Sequence, residues 1–117
     1  MDNQIQIESN MENDIKKIVI SFYEAFYQSN RIKLFSYLDT SFQKSVPLNY
    51  FLIHSDYDVD IGTLLDIHKI RIEKEKRLAF AECLIEFQKG KREMVIVLKS
   101  DFGGWKIDGK SIFKRKL

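Results

Sequence analysis

The sequence predicts an α+β domain with its helices first and an antiparallel sheet second. From Ile15 to Ile53 the apolar residues recur in steps of three and four, the spacing of one helix face. From Gly62 onward they alternate at every second position, as a strand with one buried face requires. Tight-turn signals at Lys89-Gly90-Lys91 and at Ser100-Asp101-Phe102-Gly103-Gly104 join successive strands by hairpins, which makes the sheet a meander.

In the first helix Ile15, Ile18, Val19, Phe22, Tyr23, Phe26 and Tyr27 trace one stripe. Asn13 is placed to cap it, Asp14 suits the dipole of its first turn, and Ser29-Asn30 provides a stop. Residues 1–12 are then an acidic arm carrying Asp2, Glu8 and Glu12. Ile32, Leu34, Phe35 and Leu38 give a second short helix, which Asp39-Thr40-Ser41 breaks. A non-helical Phe42-Gln43-Lys44 link follows. Ser45-Val46-Pro47 then reads as a cap with an early-turn proline, opening a third helix through Tyr50, Phe51 and Ile53.

The first strand is predicted over Thr63 to Lys74. Leu65 and Ile67 share one phase and Ile70 and Ile72 the other, so a β-bulge falls near His68. The second, Leu78 to Gln88, has a wholly apolar face of Ala79, Ala81, Cys83, Ile85 and Phe87. Glu93 to Lys99 and Trp105 to Phe113 complete the sheet. Residues 114–117 form a basic tail, which leaves 13–113 as the single domain. Phe22, Phe26, Phe35, Ala81, Cys83, Ile85, Ile96 and Trp105 are expected in its core.

A chain of 117 residues has room for one core, and 44% hydrophobic with 31% charged residues excludes the disordered and fibrous classes. The longest apolar run, Met94 to Leu98, is far too short to span a membrane. The first ten residues have neither a basic start nor an apolar stretch, so no secretory signal is expected and the cytoplasm is the default location. One cysteine, Cys83, allows no internal disulfide, and no Cys/His spacing suits zinc. No metal or cofactor is expected. The net charge of +2 conceals an acidic N-terminus and a basic second half, a dipolar layout that steers a charged partner. Acids interleave with those bases, and no Gly-rich phosphate loop or paired aromatic platform accompanies them, so nucleic acid is not the expected partner.

The aromatic first helix and its sequel (SFYEAFYQSNRIKLFSYLD), the short Pro-opened third helix and the closing GGWKIDGKSIF resemble the NTF2-like superfamily over about Ile15 to Phe113. The resemblance implies a cystatin-like cone roll, three N-terminal helices packed on a bent four-stranded antiparallel sheet. That superfamily holds isomerases, dehydratases, small-ligand binders, transport subunits and toxin-neutralising immunity proteins, so the fold alone does not choose among them.

Enzymes on such a cone work through desolvated acids, histidines or tyrosines inside it. The polar candidates are Tyr27, His54, Asp66, His68 and Asp108, and none fits a catalytic motif. Phe22, Tyr23, Phe26 and Trp105 are the expected lining of an apolar pocket. Asp56, Asp58 and Asp60 alternate as in a calcium loop, yet Ile61 and Ile67 stand where that loop needs Gly and Glu. These acids and the basic hairpin of Lys89, Lys91 and Arg92 are instead expected on separate loops as contacts for a protein partner. Leu78, Phe80 and Leu84 lie opposite the core phase, so a two-fold homodimer through the sheet face is expected. The favoured function is a non-enzymatic protein-binding domain of the toxin-neutralising type. The rival is a ketosteroid-isomerase-like or dehydratase-like enzyme, or a binder of a small apolar ligand.

Overall fold

A computed structural model describes residues 2–102 and 104–113, with 2–9 described by their backbone alone. The basic tail 114–117 and Gly103 of the last turn lie outside the described residues. The order is α1 (Asp2–Tyr27), α2 (Arg31–Ser36), α3 (Thr40–Ser45), α4 (Leu48–Ile53), a 3-10 turn (Ser55–Tyr57), β1 (Thr63–Glu73), β2 (Leu78–Phe87), β3 (Gly90–Asp101), β4 (Gly104–Ile107) and α5 (Gly109–Ile112). The strands form one antiparallel sheet in the order β1-β2-β3-β4. The architecture is therefore α+β, as expected, with more helices than the three anticipated.

α1 runs through the expected arm. Its 26 residues contain neither Gly nor Pro, and an interior Asn lowers helix propensity by only a few tenths of a kcal/mol; Asn13 thus continues the helix and does not cap it. The stop is as expected. Ser29 adopts φ 57°, its N–H donates to Phe26 O at 3.0 Å, and the Asn30 N–H reaches Ala25 O at 2.9 Å, which together close the helix end in a Schellman arrangement. Asn30 also caps α2 by accepting from the Lys33 N–H.

The Phe42-Gln43-Lys44 link is helical. α2 stops at Ser36 with Tyr37 as its C-cap, and Asp39 starts the next helix: its carboxylate accepts the Phe42 N–H at 3.2 Å, because the residue types that break helices are also those that cap them. At α4 it is Pro47, without a side-chain bond, that holds the cap position. Ser45 turns its hydroxyl back to Ser41 O.

In β1 the register slips twice, between Leu64 and Asp66 and between Ile67 and Lys69. The second slip is the bulge expected at His68; the first, at Leu65, is additional. β4 has only four residues, whereas a strand to Phe113 was expected. The chain leaves the sheet because the Gly109 N–H is taken by Asp39 Oδ1 at 2.9 Å and Phe42 covers Gly109 where any Cβ would sit. Along the outer edge of β4, Ile107 N–H donates to Tyr37 O and Asp39 N–H donates to Ile107 O. The resulting Leu38–Ile107 bridge is the one parallel contact found outside the antiparallel ladders among the described residues.

The core lies between α1 and one sheet face. Ile15, Val19 and Phe22 of α1 meet Ala79, Ala81, Cys83, Ile85, Ile96, Leu98 and Ile107, all essentially buried. Phe42, Phe51, Tyr57 and Phe113 make a second, aromatic layer beneath α3 and α4. Of the expected core, Phe26, Phe35 and Trp105 are only partly buried. Phe26 lies near the end of α1, Phe35 packs on Phe42 and Phe51 of the aromatic layer, and Trp105 stands in β4 beside Met11 and Ile18. Gly62 is required where it stands: φ is +79°, and a Cβ there would lie 2.5 Å from Ile85 Cγ2.

Asp39→Ala should destabilise the fold by about 3 kcal/mol in urea titrations, from the lost cap and the lost acceptor for Gly109, with Lys99 keeping Asp108 as its partner. Burial by itself would lower the Lys99 pKa, but Asp108 and Asp39 more than offset this and leave it raised. Its folded-state advantage is therefore fully present below the unfolded value, about 10.4, and is lost as pH rises through the folded one. The stability difference between wild type and Lys99→Met should hold level through neutral pH and shrink in strong alkali.

Candidate functional site

The four expected pocket residues do not share a pocket. Phe22 is wholly buried. Tyr23 is buried beside it, its hydroxyl donating to Ile61 O at 3.0 Å, and burial raises its pKa well above the ordinary phenol value. Phe26 and Tyr27 sit near the C-terminal end of α1, where the Leu64 N–H donates to the Tyr27 hydroxyl at 2.7 Å. Trp105 lies on the other flank of α1, beside Met11 and Ile18. The spaces bordered by these residues are open grooves. One of about 460 Å³ runs between α1 and β1, lined by Ile20, Tyr23, Tyr27, Leu64, Leu65 and Asp66 among others.

The titratable candidates are equally scattered. Asp66 and His68 meet on the exposed sheet face, where His68 Nδ1 lies 3.1 Å from Asp66 and Nε2 lies 3.2 Å from Glu93. In the ladder Asp66 and Glu93 both pair with Leu84, so the imidazole bridges two strands. His54 stands at the end of α4, stacked on Tyr50 at 4.4 Å. Its Nδ1 accepts the Asp56 N–H, which places the neutral ring's proton on Nε2. Asp108 belongs to the Lys99 cluster, 3.4 Å from the ammonium. Tyr27 and Asp66 share the α1–β1 groove and His68 joins Asp66, while His54 and Asp108 belong to other neighbourhoods, and among the described residues no cluster of His, Cys, Asp and Glu could hold a metal ion.

Cys83 is buried in the inner face. Burial, with smaller contributions from Asp66 and Glu93, pushes its thiol up to about 12, so the nucleophilic thiolate is absent near neutrality.

The expected sheet-face dimer has less to cover than anticipated. Leu78, Phe80 and Leu84 are each partly buried within the protomer, and the Arg71 guanidinium lies 4.6 Å over the Phe80 ring. Charged neighbours fill the same face, with Lys69 opposite Glu82 and Asp66 opposite Leu84.

What does come together lies at one end of the molecule. The acidic loop and the basic hairpin, expected apart, are neighbours: Thr63 pairs with Glu86 and Phe87 with Gly90, so the loop entering β1 adjoins the β2–β3 turn. Asp60 and Gln88 accordingly border one groove. Asp60 Oδ1 accepts the Gly62 N–H and holds the loop in shape, while Asp56 and Asp58 are exposed. Lys89, Lys91 and Arg92 are exposed on the hairpin, with Arg92 5.7 Å over the Phe87 ring. Arg31 ties the helices to this end, donating from Nη2 to Phe51 O at 2.8 Å and Tyr57 O at 2.9 Å, with its guanidinium 4.9 Å above the Phe51 ring.

Sequence reasoning missed the apolar part of this end. Ile53 is 83% exposed and Ile32 61%. Both sit in short helices whose single buried residues are Phe51 and Leu34. With one buried position per helix, the other apolar side chains are left outside, and only the shortness of the apolar runs foreshadows it.

Thiol reagents at neutral pH should leave native Cys83 unmodified, with labelling at the rate of unfolding; fast labelling of the folded protein would contradict the burial of β2. Comparison of the chain with family models, curated proteins and solved structures returns no match.

Proposed function

We propose that this chain is a non-catalytic protein-binding domain on an NTF2-like cone, of the toxin-neutralising type, and that it meets its partner with the end formed by Ile32, Ile53, the acidic loop and the β2–β3 hairpin. The observation that carries the reading is Ile53, 83% exposed at the end of α4 and followed within a few residues by Asp56 and Asp58. A large aliphatic group held in water on a rigid corner contributes nothing to folding and is available as an anchor for a partner. The surrounding acids favour a basic surface, and the lysines and arginine of the hairpin favour a compensating acidic spot on it. The dispersed titratable groups support the same reading: the hydroxyls of Tyr23 and Tyr27 are spent on backbone groups, and the histidines face carboxylates or backbone on the open surface.

The test is binding to the product of the gene adjacent to this one, measured by calorimetry and stopped-flow. Ile53→Asp should weaken the complex at least tenfold, chiefly through faster dissociation. Changing Asp56, Asp58 and Asp60 together to Asn should slow association and flatten its dependence on salt, with the melting temperature almost unchanged because exposed charges add little to stability. A complex indifferent to both sets of changes would remove this end from the interface. Catalytic turnover lost on changing Tyr27→Phe and His54→Ala would replace the binding reading by an enzymatic one.

A further inference from the structure

Phe102 is the most exposed large apolar residue among those described, at 91%. Its backbone is also unfavourable: φ is +45°, in the left-handed region that bulky side chains avoid. Asp101 pairs with Gly104, so Phe102 stands at the tight turn that joins β3 to β4, where a residue of positive φ is best Asn, Asp or Gly. Phe gives no packing in return for the strain. A strained residue that contributes nothing to its own fold points to a use outside it.

The hairpin is held rigidly. Asp101 Oδ2 accepts the Thr40 N–H at 2.9 Å, the Ser100 N–H donates to Arg77 O at 2.9 Å, and Lys106 Nζ donates to Ser36 O at 2.9 Å. Beside its base a groove of about 550 Å³ opens between α1 and β4, with Met11, Ile18 and Trp105 as its apolar surface and Asp14, Lys17 and Lys106 among its polar lining. Phe102, being exposed, does not occupy it.

We propose that the β3–β4 hairpin is a homodimerisation device in which Phe102 of each copy enters the Met11–Ile18–Trp105 groove of the other. The knob lies beside the groove, which the hairpin shares with α1, so the contact is isologous: the two-fold rotation that seats one Phe102 seats the other, and the contact closes after two copies. Charge agrees with this occupant. Asp101 next to the knob, acted on in its own copy by Lys106 and Lys44, arrives at the Lys17 side of the second copy's rim, while Lys44 faces the rim carboxylate Asp14. The contact is small, below the range of stable dimers, so the association is weak and concentration-dependent. Because β1–β2 and β3–β4 turn at one end of the meander and β2–β3 at the other, the dimer leaves the proposed partner-binding end free, and the two proposals stand or fall separately.

Trp105 is the sole tryptophan and serves as the probe. In sedimentation velocity from micromolar to millimolar concentration, the wild type should pass from monomer to dimer, and its tryptophan emission should shift to the blue over the same range. Phe102→Asn supplies a better turn residue, so it should fold at least as stably yet remain monomeric with invariant emission. Val95→Glu, on the exposed sheet face, should dimerise like the wild type. A wild type that stays monomeric throughout, or a dimer that survives Phe102→Asn, would overturn the proposal.

Discussion

Asp39 is the one charged side chain buried among the described residues, at 2% exposure, and its two oxygens join parts of the chain that are otherwise far apart. Oδ1 takes the N–H of Gly109; Oδ2 takes the N–H of Phe42 and lies 3.4 Å from the Lys99 ammonium. Its own backbone bonds to Ile107 across the edge of β4. A carboxylate in this position would be very costly if any of these contacts were missing. It thus fixes four things together: where α3 starts, where β4 ends, how α5 turns back, and which way Lys99 reaches. The aromatic layer depends on the same anchor, because Phe42 and Phe113, packed at 5.8 Å, follow directly on the two segments that Asp39 holds.

With β4 closed by this clamp, the two ends of the meander have different constructions. At one, the β1–β2 and β3–β4 turns lie near the N-terminal half of α1, and the Asp101 carboxylate bonds the hairpin to the first turn of α3. Its pKa is lowered by that bond, so the attachment is present above the ordinary carboxylate value and is lost as pH falls through the folded one. At the other end, short helices with one buried residue each meet the loop that enters β1. There the backbone is positioned by Arg31 and Asp60, and the apolar surplus of Ile32 and Ile53 has nowhere inside to go.

The sheet and the first helix were readable from the residues because they obey one period over many positions. The alternation Ala79, Ala81, Cys83, Ile85 has only one face to bury, and the stripe from Ile15 to Tyr23 only one side. The elements between them were not readable in the same way. Asp39-Thr40-Ser41 signals a break and a cap equally well, and the choice was made by Gly109, some seventy residues away in the chain. The end of β4 was hidden for the same reason. The neighbourhood of the acidic loop and the basic hairpin follows from strand register, which the bulges at Leu65 and His68 set and which no local pattern encodes.

That separation also bears on function. An enzyme on this architecture needs a polar group directed into a space that excludes water while keeping its valences free for substrate. Here three buried groups are committed, Asp39 to two N–H groups and an ammonium, Tyr23 to Ile61 O, and Cys83 as a protonated thiol in an apolar layer, whereas Arg31 Nε and Asp108 Oδ1 are buried without a hydrogen-bond partner. The remaining uncommitted chemistry is outside, as charge and aliphatic surface on corners that the core holds still. In the binding reading proposed above, affinity would come from that combination, since a rigid anchor loses little entropy on docking and nearby charges orient the encounter. On the proposed reading the polar interior specifies the fold, and recognition falls to the two ends of the sheet.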